Sequence, residues 1–215
     1  MNGNSAGRKL MVVDDHPFIR SALKLLLGRE GFDILEAANG ADAVRLANEH
    51  KDALALIVLD IYMSGVDGFE VIERILKSRA RVKIIILTSL PAEFHSMRCF
   101  KAGASGFVSK SDDMDVLLKA IEMALSGYTF FPEFTTNLAR RQGSTSDEKD
   151  LIDLLSNQEM MIFMELARGF SNKQIADVMA LSNKTVSTYK ARVLEKLGVK
   201  SLVGLHEFAK RNNVI

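Results

Sequence analysis

The sequence predicts an α/β domain built on a five-stranded parallel sheet, followed by a small all-α domain. Between residues 8 and 127, five short apolar runs alternate with helical patterns, which is typical of a parallel sheet with helices on both faces. Residues 128–153 lose this alternation and contain Pro132 and a polar run, which predicts a linker, and residues 154–215 contain only helical patterns. With 215 residues, 47% of them hydrophobic and 26% charged, the chain suits two small globular domains.

The strands of the first domain are apolar runs that end in turn residues or in polar side chains. The run that ends at Asp60 is apolar throughout, as expected of a strand buried on both faces of a parallel sheet. Pro17 in the first turn and Gly31 after the last turn bound the first helix. We predict strands at Leu10–Val13, Phe32–Ala37, the run ending at Asp60, Lys83–Thr88 and Gly106–Val108, and helices from Pro17 and at Ala41–His50, Phe69–Ser78, Glu93–Ala102 and Asp113–Leu125.

Polar side chains stand at or just after the ends of four predicted strands. Asp14 and Asp15 follow the first strand, Asp60 ends the third, Thr88 ends the fourth and Lys110 follows the fifth. Parallel strands present their carboxyl ends at one edge of the sheet, so we expect these groups to meet there. Because aspartate is common in turns, a solvated Asp60 without chemical function is the alternative.

Three crowded carboxylates repel one another unless a cation lies among them, and such hard oxygen ligands suit Mg²⁺, with Mn²⁺ as a substitute. Beside such a metal, Asp60 is a candidate carboxylate nucleophile that forms an acyl phosphate. Lys110 would bring a positive charge to the phosphoryl oxygens, and Thr88 would donate its hydroxyl. The rival function is an acyl-phosphate hydrolase. Such an enzyme would need a second aspartate, acting as the acid, two residues after Asp60, and Tyr62 stands there instead.

The runs VVDDHP, LIVLDIYMSGVDG, IIILTS and GFVSK together resemble the receiver domain of bacterial two-component response regulators. The resemblance implies a flavodoxin-like (CheY-like) fold with Asp60 as the phosphoacceptor. It also implies that Asp15 and Asp60 bind Mg²⁺, that Asp14 acts through water, and that the backbone carbonyl of Tyr62 completes the protein ligands.

The switch of that family is matched by Thr88 and Phe107. In the family, the threonine hydroxyl moves to the phosphoryl group and the aromatic ring turns inward behind it, whereas an ordinary core aromatic is the alternative for Phe107. Lys110 matches the lysine that binds the phosphoryl group. The sequence departs from the family at Ser64 and Ser111, where proline is frequent.

Charge divides the chain into an acidic and a basic part. From Leu154 onward, nine lysine and arginine residues stand against five aspartate and glutamate residues, whereas the preceding part has nineteen against twenty-two. The formal net charge of +1 therefore hides a basic second domain. Its helical patterns cover Asn157–Ala167, Asn172–Met179, Lys184–Leu197 and Ser201–Asn212.

Two of these helices are joined by the tight turn Leu181–Asn183, which is typical of a helix-turn-helix, and the basic residues on the second helix suit a phosphate backbone. A small solvated bundle with an ordinary charged face is the alternative. The run LSNQEMMIFMELARGFSNKQIADVMALSNKTVSTYKARVLEKLGV resembles the LuxR-type helix-turn-helix of the NarL/FixJ response regulators. The runs SNKTVSTYK, GYTFFP and AKRNN are especially similar to the BvgA/EvgA branch of that family.

The resemblance implies that the helix 184–197 is a recognition helix that enters the major groove by its N-terminal part. The DNA-binding residues that it implies are Lys173, Ser182, Lys184, Thr185, Ser187, Thr188, Tyr189, Lys190, Ala191 and Arg192. The last helix is the candidate for contacts between two DNA-binding domains, through Leu202, Leu205 and Phe208. Packing of that helix inside its own bundle is the alternative.

Together these features predict a DNA-binding transcriptional regulator of a two-component system, and not an enzyme that acts on an external substrate. A sensor histidine kinase or a phosphotransfer domain would phosphorylate Asp60, and the phosphorylated homodimer would bind an inverted repeat in double-stranded DNA. RNA polymerase is a further candidate partner, and a regulator that acts through protein contacts alone is the alternative. The lone Cys99 and the lack of an apolar signal or membrane-spanning run predict a cytoplasmic protein without membrane contact.

Overall fold

A computed structural model describes residues 8–63, 67–78, 81–131 and 147–215. The chain divides into two compact units between Phe134 and Thr135. The first unit is an α/β domain with a five-stranded sheet, and the second unit is helical, so the predicted fold class is confirmed. In the described part of the chain, no helix has the length and apolar character that crossing a lipid bilayer requires.

The sheet has the strand order β2-β1-β3-β4-β5, and all neighbouring strands are parallel. This order places the change of winding direction between β1 and β3, where open α/β sheets bind their ligands. The strands are β1 (Lys9–Val13), β2 (Asp33–Ala37), β3 (Leu54–Leu59), β4 (Lys83–Thr88) and β5 (Gly106–Ser109). The helices are α1 (Pro17–Arg29), α2 (Gly40–Glu49), α3 (Gly68–Ser78), α4 (Ala92–Lys101) and α5 (Met114–Leu125).

The three central strands are buried on both faces of the sheet. On one face, alternate residues of β1, β3 and β4 pack with the inward side chains of α1 and α5 in one apolar cluster, which includes Leu10, Leu56, Ile85, Leu27 and Ile121. Residues of the opposite parity in these strands, among them Met11, Ile57 and Ile84, are equally buried. Since successive side chains point to opposite faces, both faces are covered, as the unbroken apolar runs predicted.

The edge strand β5 is covered by the residues that follow α5. Phe130 forms a parallel bridge with Gly106, donates its amide to the Ser105 carbonyl at 2.9 Å and accepts from the Phe107 amide at 2.8 Å. A Cβ on Gly106 would lie 3.0 Å from the Phe130 carbonyl oxygen, so the close approach depends on glycine. The first residues of the segment predicted as a linker therefore belong to the first unit.

The second unit contains five described helices whose N-termini are capped mainly by serine. Ser156 and Ser171 form capping boxes with Glu159 and Gln174, and Ser182 and Ser201 accept hydrogen bonds from the amides three residues later. The helices are α6 (Asp147–Asp153), α7 (Asn157–Ala167), α8 (Asn172–Met179), α9 (Asn183–Lys196) and α10 (Leu202–Arg211).

Helix α6 corrects the predicted domain boundary. Its residues were expected in the linker 128–153, but Glu148 accepts hydrogen bonds from Arg211 at 2.9 Å and from Asn212 at 2.7 Å. Ile152 is buried as well. The second unit therefore begins before Leu154, because α6 is tied to the end of α10.

The predicted dimer contact on α10 also needs a correction. Leu205 is fully buried, and the Phe208 ring packs against Phe163 with a centroid distance of 6.1 Å and an interplanar angle of 67°. Both side chains form the core of their own unit and are not available to a second copy. Leu202 is 43% exposed, and its neighbour Val203 is 71% exposed, so only the first turn of α10 presents apolar surface.

An ion pair between a buried carboxylate and a half-buried ammonium links α7 to the end of α9. Glu159 Oε2 lies 2.6 Å from Lys196 Nζ and accepts from the Ser156 amide at 2.7 Å, and Lys196 also donates to the Leu154 carbonyl at 3.1 Å. Burial alone would raise the pKa of Glu159, but its hydrogen bonds with Lys196 and Ser156 lower it on balance. The carboxylate form therefore stabilises the helical unit.

We expect Glu159→Gln to destabilise the protein by about 1–3 kcal/mol at neutral pH, because the variant leaves Lys196 without its buried counter-ion. Since the folded pKa of Glu159 is below its ordinary value of 4.5, this stabilisation is present above that pH and is lost as the pH falls through the folded value. The loss is measured by calorimetric unfolding of the full chain between pH 3 and pH 7 (roughly the range of carboxylate titration). Glu207→Gln, at an exposed position of α10, is the matched control, and equal losses in both variants would contradict the prediction.

Candidate functional site

The carboxyl edge of the sheet brings together four of the predicted groups. Asp60 follows β3 directly and donates its amide to the Val13 carbonyl at 2.9 Å, which keeps it in register with the end of β1. Lys110 follows β5 and donates its amide to the Thr88 carbonyl at 2.9 Å. Asp14 is 1% exposed, Asp60 is 3% exposed and Thr88 is fully buried. The backbone ladder thus carries these side chains into one pocket.

Lys110 bridges two of the carboxylates. Its Nζ lies 2.5 Å from Asp60 Oδ2 and 2.7 Å from Asp14 Oδ2. Burial would lower the pKa of Lys110, but the hydrogen bonds with Asp14 and Asp60 raise it on balance. The lysine therefore stays charged and stabilises the close approach of the two acids.

Asp60 is held by its neighbours on both carboxylate oxygens. Oδ1 accepts from the Tyr62 amide at 2.9 Å, and the Thr88 hydroxyl also bonds to the carboxylate. Burial raises the pKa of Asp60, and the contacts with Lys110, Tyr62 and Thr88 offset that effect only in part. A buried carboxylate that has little access to water and a lysine at Oδ2 is suited to nucleophilic attack on phosphorus.

Ile61, which follows Asp60, packs closely against Gly68 at the start of α3. A Cβ on Gly68 would lie 2.4 Å from the Ile61 Cα, so only glycine allows this approach. Phe69 donates its amide to Asp67 Oδ1 at 2.9 Å, which starts the helix. The position of the Tyr62 backbone, whose amide holds Asp60, therefore depends on Gly68.

The donor set fits a divalent metal. One ligand atom each from Asp14, Asp15 and His16 lies within 4.8 Å of the others, and the Asp60 carboxylate shares Lys110 with Asp14. His16 is exposed, and its Nδ1 lies 2.8 Å from Asp15 Oδ1 and 3.3 Å from Asp14 Oδ1. One ammonium between Asp14 and Asp60, with Asp15 beside Asp14, leaves an excess of negative charge on oxygen atoms, which suits Mg²⁺.

Two further side chains of the first unit, Leu90 and Phe107, are buried. The Leu90 amide points at Thr88 Oγ1 over 3.4 Å. Phe107 is buried, and its backbone is the one that pairs with Phe130. The structure places Phe107 in the core, as both the switch and the ordinary core aromatic require.

In the second unit, α8 and α9 form the predicted helix-turn-helix. Ala180 adopts a left-handed conformation with a φ of 50°, which ends α8, and Ser182 then caps α9. Val186 and Val193 face the core of the unit. The exposed residues among the predicted DNA contacts are Lys173, Ser182, Lys184, Ser187, Thr188, Ala191 and Arg192, and Thr185, Tyr189 and Lys190 are half-buried.

The exposed stripe of α9 has small side chains in its middle and cations beside them. Ser187, Thr188 and Ala191 recur at helical spacing, and the Thr188 hydroxyl donates to the Lys184 carbonyl at 3.0 Å. The Arg192 guanidinium lies over the Tyr189 ring, 5.8 Å from its centroid. The middle of the stripe can therefore approach a groove closely while the cations meet phosphates.

Family models match both units. Residues 10–122 match the response regulator receiver domain, and residues 153–209 match the luxR family of bacterial regulatory proteins. The chain belongs to the LuxR-type response regulators. It is a two-component regulator with a receiver domain and a DNA-binding domain, as the sequence predicted.

Relatives of this response regulator match over nearly its whole length. BvgA of Bordetella pertussis, described as a positive transcription regulator of virulence factors, is 42% identical over 96% of this chain and 98% of its own. The DNA-binding transcriptional activator EvgA of Escherichia coli is 38% identical over 95% of this chain and 98% of its own. The crystal structure of a LuxR-family two-component response regulator from Aurantimonas sp. has a TM-score of 0.59 and 31% identity, and covers 65% of this chain and 100% of its own.

Sequence reasoning missed two residues that shape the receiver pocket. Gly68 has the signal of a glycine after a turn, but the sequence does not show that it packs against the Ile61 backbone. Arg20 gave no signal at all, yet its Nη1 donates to the Asp14 carbonyl at 2.7 Å. The helical periodicity of α1 accounts for Ile19 and Leu23 without assigning any task to Arg20.

Replacement of the buried acid should stabilise the receiver unit. We expect Asp60→Asn to raise the free energy of unfolding by about 1 kcal/mol at pH 7 without metal, because a charged carboxylate no longer has to be buried. Since the folded pKa of Asp60 lies above its ordinary value of 3.8, Asp60 costs no stability below that pH, and the cost appears as the pH rises through the folded value.

The gain is measured by calorimetry in a chelator, and it should shrink as the pH is lowered. Asp52→Asn, at an exposed position two residues before β3, is the control and should change little. A loss of stability in Asp60→Asn at pH 7 would show that the Lys110 contact outweighs the cost of burial.

Proposed function

We propose that this response regulator is phosphorylated on Asp60 by a sensor histidine kinase or a phosphotransfer domain. One observation carries the proposal: Asp60 lies in a buried pocket between Lys110, Thr88 and the Tyr62 amide, next to two further carboxylates. In the transfer, a carboxylate oxygen of Asp60 attacks the phosphorus of a phosphohistidine. The phosphorus–oxygen bond forms, the phosphorus–nitrogen bond breaks, and the ring nitrogen leaves with the electron pair.

The neighbours of Asp60 have distinct tasks in this step. Lys110, already 2.5 Å from Oδ2, neutralises charge on the phosphoryl oxygens, and the Thr88 hydroxyl donates to one of them afterwards. The Tyr62 amide keeps the attacking carboxylate in place. When bound by Asp15, Asp60, the Tyr62 carbonyl and, through water, Asp14, a Mg²⁺ ion (or Mn²⁺) supplies further positive charge beside the transferred group.

The second proposed activity is control of transcription through double-stranded DNA. Helix α9 would lie in the major groove, with Ser187, Thr188 and Ala191 at base edges. The phosphate contacts would come from the flanking residues, which are Lys173, Ser182, Lys184, Thr185, Tyr189, Lys190 and Arg192. Two copies would bind an inverted repeat, since a dimer gains affinity through effective concentration.

Further partners follow from this activity. The phosphorylated protein would form a homodimer in which the exposed Leu202 of α10 contacts the second copy, and RNA polymerase would be a further partner. A regulator that acts on the chromosome of a bacterium works in the cytoplasm. The receiver would act on its own Asp60 and on no external substrate.

A small phosphodonor tests the first proposal. With acetyl phosphate and Mg²⁺, we expect the full chain to gain the mass of one phosphoryl group, measured on the intact protein by mass spectrometry. Asp60→Asn should gain none, because it lacks the nucleophile, and Asp52→Asn should behave like the wild type. Modification of Asp60→Asn to the same extent would place the phosphoacceptor elsewhere.

Salt dependence of DNA binding tests the second proposal. We expect Lys190→Ala and Arg192→Ala each to weaken binding to a selected promoter fragment and to reduce the slope of log K against log salt concentration by about 1, since each removes one phosphate contact. Lys210→Ala, at an exposed position of α10, removes the same charge and should leave the slope unchanged. Equal slopes in all four proteins would exclude α9 as the DNA contact.

A further inference from the structure

Arg20 has no part in the activities described so far, yet it reaches the receiver pocket from α1. Its half-buried side chain leaves the first turn of α1, and Nη1 donates to the Asp14 carbonyl at 2.7 Å. The first helical hydrogen bond, from the Arg20 amide to the His16 carbonyl at 3.2 Å, starts α1 at the pocket. Pro17 begins α1, and its fixed φ suits the first helical position.

The carbonyl that Arg20 holds belongs to the peptide group between Asp14 and Asp15. On the other side of the Asp14 Cα, its amide donates to the Ala37 carbonyl at 3.2 Å. Both peptide groups that flank Asp14 are therefore fixed, which fixes the direction of its Cα–Cβ bond. The same peptide group leads into Asp15, so a single contact orients the backbone of both acids.

The side chain of Asp14 is also bound at each oxygen. Oδ1 accepts from the His16 amide at 2.8 Å, and Oδ2 lies 2.7 Å from Lys110 Nζ. Asp14 and Asp15 nevertheless carry like charges in adjacent positions, and repulsion would turn them apart if the peptide group between them were free to rotate. The Arg20 guanidinium opposes that rotation.

We infer that Arg20 is a positioning residue that orients Asp14 and Asp15 for Mg²⁺. The inference rests on the proposed metal-dependent phosphorylation and adds to it a residue outside the ligand set. Partners that orient metal ligands from behind change metal affinity by roughly tenfold or more when they are removed. The planar guanidinium donates to the carbonyl in a fixed geometry that a flexible ammonium does not reproduce.

A purely electrostatic role and a positioning role of Arg20 predict opposite changes in metal affinity when Arg20 is replaced. A cation that acted only through its field would repel Mg²⁺, so its removal would strengthen metal binding. A cation that orients the ligands would weaken metal binding on removal. The sign of the change in Arg20→Met, which removes both the charge and the donor, therefore separates the two roles.

The experiment measures metal affinity directly. Free Mn²⁺ is followed by its electron paramagnetic resonance signal while the full chain is titrated, and Mg²⁺ is then added as a competitor. We expect Arg20→Met to bind Mn²⁺ and Mg²⁺ about tenfold more weakly than the wild type. Arg20→Lys should fall between the two, because the lysine keeps the charge and a less well placed donor.

Arg29→Met is the matched control, since Arg29 ends the same helix at an exposed position and its replacement removes the same charge. It should bind both metals within about twofold of the wild type (the scatter expected of a screened surface charge). Thermal unfolding without metal shows that each variant is folded at the titration temperature. If Arg20→Met is unfolded at that temperature, the comparison is made with Arg20→Lys. Metal affinity in Arg20→Lys equal to or tighter than that of the wild type would then overturn the inference.

Metal affinity in Arg20→Met equal to or tighter than that of the wild type would overturn the inference. Absence of metal binding in the wild type, or equal binding by wild type and Asp15→Asn, would instead overturn the proposed metal site itself. Loss of affinity in Arg20→Met with wild-type affinity in Arg29→Met supports the positioning role.

Discussion

Lys110 holds together charges that would otherwise drive the receiver pocket apart. Asp14 and Asp60 are almost completely buried, and the ammonium within 2.7 Å of both is what offsets their repulsion. The parallel sheet makes this arrangement possible, because β1, β3 and β5 all end at the same edge. A phosphoryl group on Asp60 would pair with the Lys110 ammonium in place of the carboxylate. The same lysine therefore connects the stability of the unmodified pocket to the proposed chemistry.

The pocket could be predicted from the sequence because each of its acids ends an unbroken apolar run. Such runs leave little freedom in the register of the strands. Both ends of β4 were predicted correctly, and the predicted ends of the other strands differ from the observed ends by one residue or a few. Helices α7 and α8 were predicted at both ends as well, since a serine caps each of them and Gly169 follows the end of α7. Local signals of this kind need no knowledge of tertiary contacts.

The features that sequence reasoning missed all depend on contacts between distant residues. Helix α6 has few apolar residues, and Glu148 meets Arg211 only in the folded unit. The bridge of Phe130 to β5 and the bond from Arg20 to Asp14 are likewise visible only in three dimensions. The predicted contact of Leu205 and Phe208 with a second copy was wrong for a related reason. An amphipathic stripe in the sequence does not show whether its own unit or a second copy covers it.

The central claim is that the state of Asp60 controls DNA binding by the second unit. The most direct measurement is the affinity of the full chain for selected promoter DNA, with and without beryllofluoride and Mg²⁺, for the wild type and Asp60→Asn. Beryllofluoride takes the place of the phosphoryl group on the aspartate. We predict that it tightens binding by the wild type and leaves Asp60→Asn unchanged, whereas equal affinity of both proteins under all conditions would contradict the account.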